Sequence, residues 1–243
     1  MNRDLFQVEY DRWFAKNGMT RFLSPEFRDR FADLTERLLS ANEQHNLTAI
    51  KDERGVIVRH YIDCLTAADL IPRGASVLDV GSGGGMPSFP FAICRPDIRI
   101  TALDATAKKT AFIAETAAAL SLANLVTLTG RAEELGREPA YRERYDAVCA
   151  RAVARLNVLL EWCAPFLKTG GLFIALKGKN AEEELAEAGH AVAELGLALV
   201  SADPITVYEG DEAFSRVNLV FRKIAPISPK YPRSNAQIQK KPL

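Results

Sequence analysis

The residues best suited to chemistry lie in one short run, Asp79-Val80-Gly81-Ser82-Gly83-Gly84-Gly85-Met86. Glycines let a backbone turn to positive φ and let a ligand approach the chain closely. In an open α/β sheet such a turn, just after a strand, lies on the ligand-binding edge. A dinucleotide pyrophosphate needs G-x-G-x-x-G, with the third glycine falling at position 86. That position holds Met86, so the pyrophosphate pattern is broken. An acid at the strand end followed by G-x-G-x-G suits a ligand without phosphate. S-adenosylmethionine is such a ligand, with an ammonium, a carboxylate and a sulfonium. Asp79 is then expected to face the positive end of its methionine moiety, with the amides of Gly81 and Gly83 close by.

Two further acids support this expectation. Asp104 ends the next strand about twenty residues on, where such folds place a carboxylate for ribose hydroxyls. Glu133 follows the third strand in Gly130-Arg131-Ala132-Glu133. There it can accept from an adenine amino group beside the Ala132 amide. Each acid taken alone also fits a helix N-terminus, where the macrodipole favours negative charge. Three acids after three consecutive strands argue for one shared ligand edge.

The elements that must hold these residues follow from periodicity. The N-terminal stretch reads as helical, with Ser24-Pro25 as a cap and first-turn proline. Phe27, Phe31, Leu34 and Leu38 then share one helical face, and Asn46-Leu47-Thr48 ends that helix. A second helix is expected over 56–70. From Ser76 strands and helices alternate. Strands are expected at 76–80, 98–103, 125–129, 145–150 and 171–176, and helices at 89–94, 107–120, 157–167 and 181–195. Repeated βα units imply an α/β fold, a mostly parallel sheet covered on both faces. Strands at 197–207 and 217–221, with no helix between them, imply an antiparallel edge. Three parts result: a small helical cap over 1–73, the α/β domain over 74–223 and a tail over 224–243.

The bulk composition excludes little. Lys+Arg and Asp+Glu both number 31, so net charge favours no partner class. Its distribution says more. From Ala213 onward there is no acid, while Arg216, Arg222, Lys223, Lys230, Arg233, Lys240 and Lys241 are basic. With four prolines after residue 225, this segment is expected to be an extended basic tail that contacts RNA, Tyr231 being available for stacking. Cys64, Cys94, Cys149 and Cys163 form no CxxC and have no His at zinc spacing, so reduced thiols and no metal are expected. Met1–Tyr10 has no apolar run, so neither an export signal nor a membrane span is expected, and the chain is placed in the cytoplasm.

Taken in order, several stretches resemble one known family. They are Asn46-Leu47-Thr48, Arg59-His60-Tyr61-Ile62-Asp63, residues 79–87, Lys108-Lys109 with Phe112, Arg131-Ala132-Glu133, Arg151-Ala152, Leu176-Lys177-Gly178 and the ending Lys230-Tyr231-Pro232-Arg233 with Lys241-Pro242-Leu243. The sequence is similar to bacterial 16S ribosomal RNA guanine-N7 methyltransferases of the small-subunit methyltransferase G type, from about Leu38 to the C-terminus. The resemblance implies a class I (Rossmann-like) methyltransferase sheet. It also implies that Gly81, Met86, Ala132, Glu133 and Arg151 contact S-adenosylmethionine. The family usually has Gly where this chain has Ser88, and Ser where it has Cys64 and Ala105.

Guanine N7 carries an in-plane lone pair and loses no proton before attack. An enzyme acting there needs positioning and a suitable field rather than a general base. The sequence has no Pro-Cys pair for attack on a pyrimidine, and no Asp-Pro-Pro-Tyr or Asn-Pro-Pro-Tyr loop for amino groups. Arg151 and Lys177, after the fourth and fifth strands, are the candidate catalytic residues for contacts to cofactor, base or phosphate. His60 is either a pocket residue or a structural hydrogen-bonder. The partner implied is 16S RNA or the small ribosomal subunit, met by a monomer. The alternative is an S-adenosylmethionine methyltransferase acting on a small molecule or a protein.

Overall fold

The computed structural model describes residues 1–243. Helix α1 (Arg3–Lys16) opens the chain, with the Asn2 side chain accepting from Leu5 N at 3.1 Å. It buries Phe6, Tyr10, Trp13 and Phe14, spaced four, three and one residues apart along one face. Helix α2 (Pro25–His45) buries Phe31, Leu34 and Leu38 as expected, and Asn46 ends it in the left-handed region at φ 49°. The second expected helix is less regular. Short α3 (Glu53–Gly55) and α4 (Asp63–Leu65) flank a π-helical stretch, Val56–Ile62, which carries Arg59 and His60.

The sheet follows the sequence closely. Its strands are β1 (Ser76–Val80), β2 (Arg99–Asp104), β3 (Leu125–Thr129), β4 (Tyr145–Arg151), β5 (Leu167–Lys177), β6 (Leu197–Glu209) and β7 (Glu212–Lys223). Between them run α5 (Ser88–Cys94), α6 (Ala107–Ala119), α7 (Ala132–Leu135), α8 (Leu156–Cys163), α9 (Ala181–Glu187) and α10 (Gly189–Glu194). The helix expected at 181–195 is therefore two, parted at Ala188. The order is β3-β2-β1-β4-β5-β7-β6. The first five strands are parallel neighbours, and β7 runs antiparallel between β5 and β6.

Side-chain alternation decides which layer each strand residue meets. Val77, Ala147, Cys149, Ile174 and Leu176 face a core shared with α1, α2, α5 and α6. Leu78, Val80, Val148, Ala150, Phe173 and Ala175 face a second core with α8 and α10. The three expected parts share their interior. The N-terminal helices have no core of their own, because Phe14, Phe31 and Tyr61 pack in the same cluster as Val77 and Ile100. The tail also packs: Ile227 and Tyr231 join the second core. All four cysteines are free and buried, and burial raises the Cys64 thiol to about 12. No helix is long and apolar enough to cross a membrane.

Candidate cofactor and substrate site

The glycine turn is held against the end of β2. Gly81 N and Ser82 N both donate to Leu103 O, at 2.8 and 3.0 Å. Gly83 N donates to Asp104 Oδ2 at 3.0 Å, and Asp104 Oδ1 accepts from Thr106 N at 2.9 Å. The turn and the carboxylate therefore fix one another. Gly81 sits at φ +73°, and a Cβ there would lie 2.7 Å from Val153 Cγ2. Gly85 sits at φ +87°, and a Cβ there would meet the Phe89 ring at 2.3 Å. The first glycine lets Val153 close against the turn; the second lets the start of α5 pack under it.

Two adjoining cavities meet at Gly81, Asp104 and Val153. The first, of about 240 Å³, runs past Leu103, Ala132 and Glu133 to Trp162. Its far wall is Asn235 and Gln239 of the tail helix α11 (Asn235–Lys240). The second, of about 340 Å³, is lined by Leu47, Thr48, His60, Met86, Lys109 and Arg151. A larger groove of about 560 Å³ lies between α2 and α6, among Asp33, Glu36, Arg37 and Glu115. It is polar and lies away from the strand ends, so the paired cavities are the stronger candidate.

Most of the expected site residues line these cavities. Gly81, Asp104, Ala132 and Glu133 bound the first; Gly81, Gly83, Met86, Asp104 and Arg151 bound the second.

Asp79 is different. Its side chain is fully buried beneath the turn and lines neither cavity. Oδ2 accepts from Ser88 N at 3.2 Å and Ser88 Oγ at 2.5 Å, while Oδ1 has no partner within the protein. The departure at Ser88 thus points inward to the carboxyl. Burial pushes the Asp79 carboxyl up to about 7. Because the folded-state value lies above the ordinary 3.8, the stability this group confers is full below about pH 4 and is lost as pH rises through about 7. Relative to Asp79→Asn, the wild type is therefore expected to lose about 2–4 kcal/mol between pH 4 and 8. Urea unfolding of both proteins across that range checks this; parallel pH profiles contradict it.

Arg151 lines the second cavity, but its hydrogen bonds run to the N-terminal helices. It donates to Arg59 O, Asp63 Oδ2 and His60 Nδ1, each at 2.9 Å, and Arg216 binds the other oxygen of Asp63 at 2.8 Å. Arg151 therefore fastens the helical layer to the sheet at the cavity wall. Lys177 corrects a further expectation. It is 7% exposed, lines neither cavity, and donates to Glu184 Oε2 at 2.7 Å and Ala154 O at 2.8 Å. Its ammonium is paired inside the protein and is presented to neither cavity.

The basic tail is partly folded back onto the protein. Tyr231 is 4% exposed and its hydroxyl donates to Glu194 at 2.9 Å, so it offers no stacking face. Arg216, Lys223, Lys230 and Arg233 each pair with an acid: Asp63, Glu143, Glu194 and Glu161. Arg222, Lys240 and Lys241 have no carboxylate partner. The segment closes with a helix, where Ser234 and Gln237 form a capping box. That box was readable in the sequence. The places of Asn235, Gln239 and Trp162 in the first cavity were not, since they depend on how α11 docks against α8.

Comparisons with known proteins bear on the family and the fold. A family model described as rRNA small subunit methyltransferase G matches residues 28–205. The ribosomal RNA small subunit methyltransferase G of Lactobacillus delbrueckii subsp. bulgaricus is 38% identical over 247 residues, covering 100% of both chains. That of Deinococcus radiodurans is 41% identical over 221 residues, covering 88% of this chain and 85% of its own. Among solved structures, M. jannaschii TYW2 in complex with AdoMet aligns at TM-score 0.53 and 15% identity, over 67% of this chain and 75% of that one. A chain of the Haloferax volcanii complex between the Trm112 methyltransferase activator and a methyltransferase aligns at TM-score 0.55 and 19% identity, over 81% and 98%. At such identities the likeness concerns the fold. That fold is the class I methyltransferase sheet, mostly parallel with an antiparallel edge.

Proposed function

Because the chain belongs to the rRNA small subunit methyltransferase G family, we propose that it methylates N7 of a guanine in 16S ribosomal RNA, using S-adenosylmethionine. The observation that carries this reading is the pair of cavities meeting at Gly81 and Asp104. One is suited to a nucleoside and the other to a reacting base.

The residues present suit that cofactor. Asp104 retains lone pairs for ribose hydroxyls after accepting from Gly83 N and Thr106 N. Glu133 offers an acceptor for an adenine amino group, between apolar Leu103 and the Trp162 ring. Trp162 Nε1 and Asn235 Oδ1 are buried without partners, the state of groups arranged around a polar ligand. Gly81, at φ +73° and with Val153 close against it, has room for no side chain, so its bare backbone borders the cavity. When bound, S-adenosylmethionine supplies a methyl carbon made electrophilic by its sulfonium.

The chain's own task is placement. Guanine N7 needs no proton removed, and the second cavity holds no free base. His60 is kept neutral, its value pushed down to about 3 by burial and by Arg151. Both of its nitrogens are already hydrogen-bonded. Leu47 and Met86 exclude water from the wall, and Arg151 with Asp63 keeps the helical layer in register with it. RNA contact falls to Lys240 and Lys241, which have no acidic partner, together with Lys109 at the cavity wall, whose ammonium lies 3.9 Å from Asp104 Oδ2. We place the protein in the cytoplasm, acting as a monomer.

Labelled S-adenosylmethionine offered with small ribosomal subunits, naked 16S RNA or a metabolite pool tests this. Label in the RNA is expected, with a rate that falls steeply as salt rises. Label in metabolites and none in RNA overturns it.

A further inference from the structure

Thr48 stands half-buried on the wall of the second cavity. Its hydrogen bonds assign every proton around it. A guanidinium has donors and no acceptor, so the 2.9 Å contact between Arg151 Nη2 and His60 Nδ1 makes Nδ1 an acceptor. The imidazole proton is then on Nε2, which donates to Thr48 Oγ1 at 2.8 Å. Ile50 N donates to the same oxygen at 3.0 Å. A hydroxyl has two acceptor lone pairs and one proton. Both lone pairs of Thr48 are taken, and its O–H has no acceptor in the protein. Thr48 N, donating to Asn42 Oδ1 at 2.8 Å, holds the backbone beneath it.

An ordinary threonine can donate or accept, so it tells little about a partner. This one can only donate. The face of guanine that carries N7 also carries O6, an acceptor; adenine carries an amino donor there. We infer that Thr48 reads the base to be methylated, its hydroxyl donating to guanine O6 and refusing the amino group of adenine. His60 and Arg151 are positioning residues that fix the direction of the hydroxyl. The inference rests on the proposed methylation of guanine N7, and it adds a residue that selects guanine. A neutral donor also suits the position, since a cation beside O6 would oppose the positive charge the base acquires.

The test uses small subunits reconstituted with 16S RNA carrying either guanine or 2-aminopurine at the methylated position. 2-Aminopurine keeps N7 and lacks O6. The wild type is expected to lose about tenfold in kcat/KM on 2-aminopurine, the scale of one hydrogen bond. Thr48→Val is expected to lose about tenfold on guanine and nothing further on 2-aminopurine. Thr48→Ser is expected to behave as the wild type. All three should bind S-adenosylhomocysteine equally in calorimetry. Penalties that multiply in Thr48→Val contradict the inference, as does a fall in its S-adenosylhomocysteine affinity, which would put the hydroxyl on the cofactor. A wild type that methylates no guanine at all refutes the proposed function itself, and Thr48 as its reader with it.

Discussion

Gly81→Trp is expected to lower affinity for S-adenosylhomocysteine by more than about 100-fold, a change of roughly 3 kcal/mol, while the chain stays folded. Gly81 bounds both cavities where they meet, so a large side chain there intrudes on the nucleoside and on the junction with the second cavity. It sits at φ +73°, and even a Cβ would lie 2.7 Å from Val153 Cγ2. The left-handed backbone costs a non-glycine residue about 1–2 kcal/mol, small beside the stability of a typical domain. Val153 lies at the surface and can rotate away. Glu133→Ala is the milder companion: losing one charged acceptor is expected to weaken binding about tenfold. Calorimetry with S-adenosylhomocysteine, alongside circular dichroism, reads both. Undiminished affinity in both variants contradicts the assignment of the turn and the first cavity.

Arg233→Met is expected to cost about 3 kcal/mol of stability and to weaken S-adenosylhomocysteine binding about tenfold, although Arg233 touches neither cavity. Glu161, on α8, is fully buried. It accepts from Arg233 N at 2.8 Å, Nε at 2.9 Å and Nη2 at 2.6 Å. Removing the guanidinium leaves a buried carboxylate without its partner, which is costly, whereas replacing both partners by apolar groups is often neutral. The melting temperature should fall by roughly 6–12 °C for a chain of this size. Glu161→Met together with Arg233→Met should restore most of it. Affinity drops because Arg233 lies two residues before α11, whose Asn235 and Gln239 wall the first cavity. Wild-type melting and affinity in Arg233→Met would show that the tail is a passenger.

Much of the site was legible because its residues sit where strands end. Asp104 and Glu133 follow β2 and β3, and the chain direction of a parallel sheet puts those ends on one edge. Where the remaining strand-end side chains go is decided by parity. Asp79 has the parity of Val77, which faces the core under the N-terminal helices, so its carboxyl was bound to be buried there. Arg151 has the parity of Ala147 and Cys149 and meets Asp63 and His60 on that same face. Lys177 has the parity of Phe173 and Ala175 and meets Glu184 on the opposite one. Strand-end position alone could not tell these cases apart; alternation along each strand could.

The tail failed for a different reason. A run of bases without acids looks like a free RNA-binding arm, yet Glu143, Glu161 and Glu194, distant in sequence, neutralise three of them. Such pairings are invisible until the fold brings the partners together. The same holds for the Thr48–His60–Arg151 chain, whose members were visible as separate motif fragments but whose order was not. Helix α1 could have been delimited from Phe6, Tyr10, Trp13 and Phe14, because its aromatic stripe has helical spacing.

The glycine turn now has a defined range. It presents Gly81 and Gly83 to a ligand, with Asp104 in front and Asp79 bracing it from behind. The central claim is that a guanine in small-subunit RNA receives a methyl group at N7 on the far side of that turn. The most direct test is mass mapping of 16S RNA from cells with the gene intact and deleted. One N7-methylguanine present in the first and absent in the second is the predicted result. Identical methylation in both, or a lost methyl group on any other atom, would contradict the account.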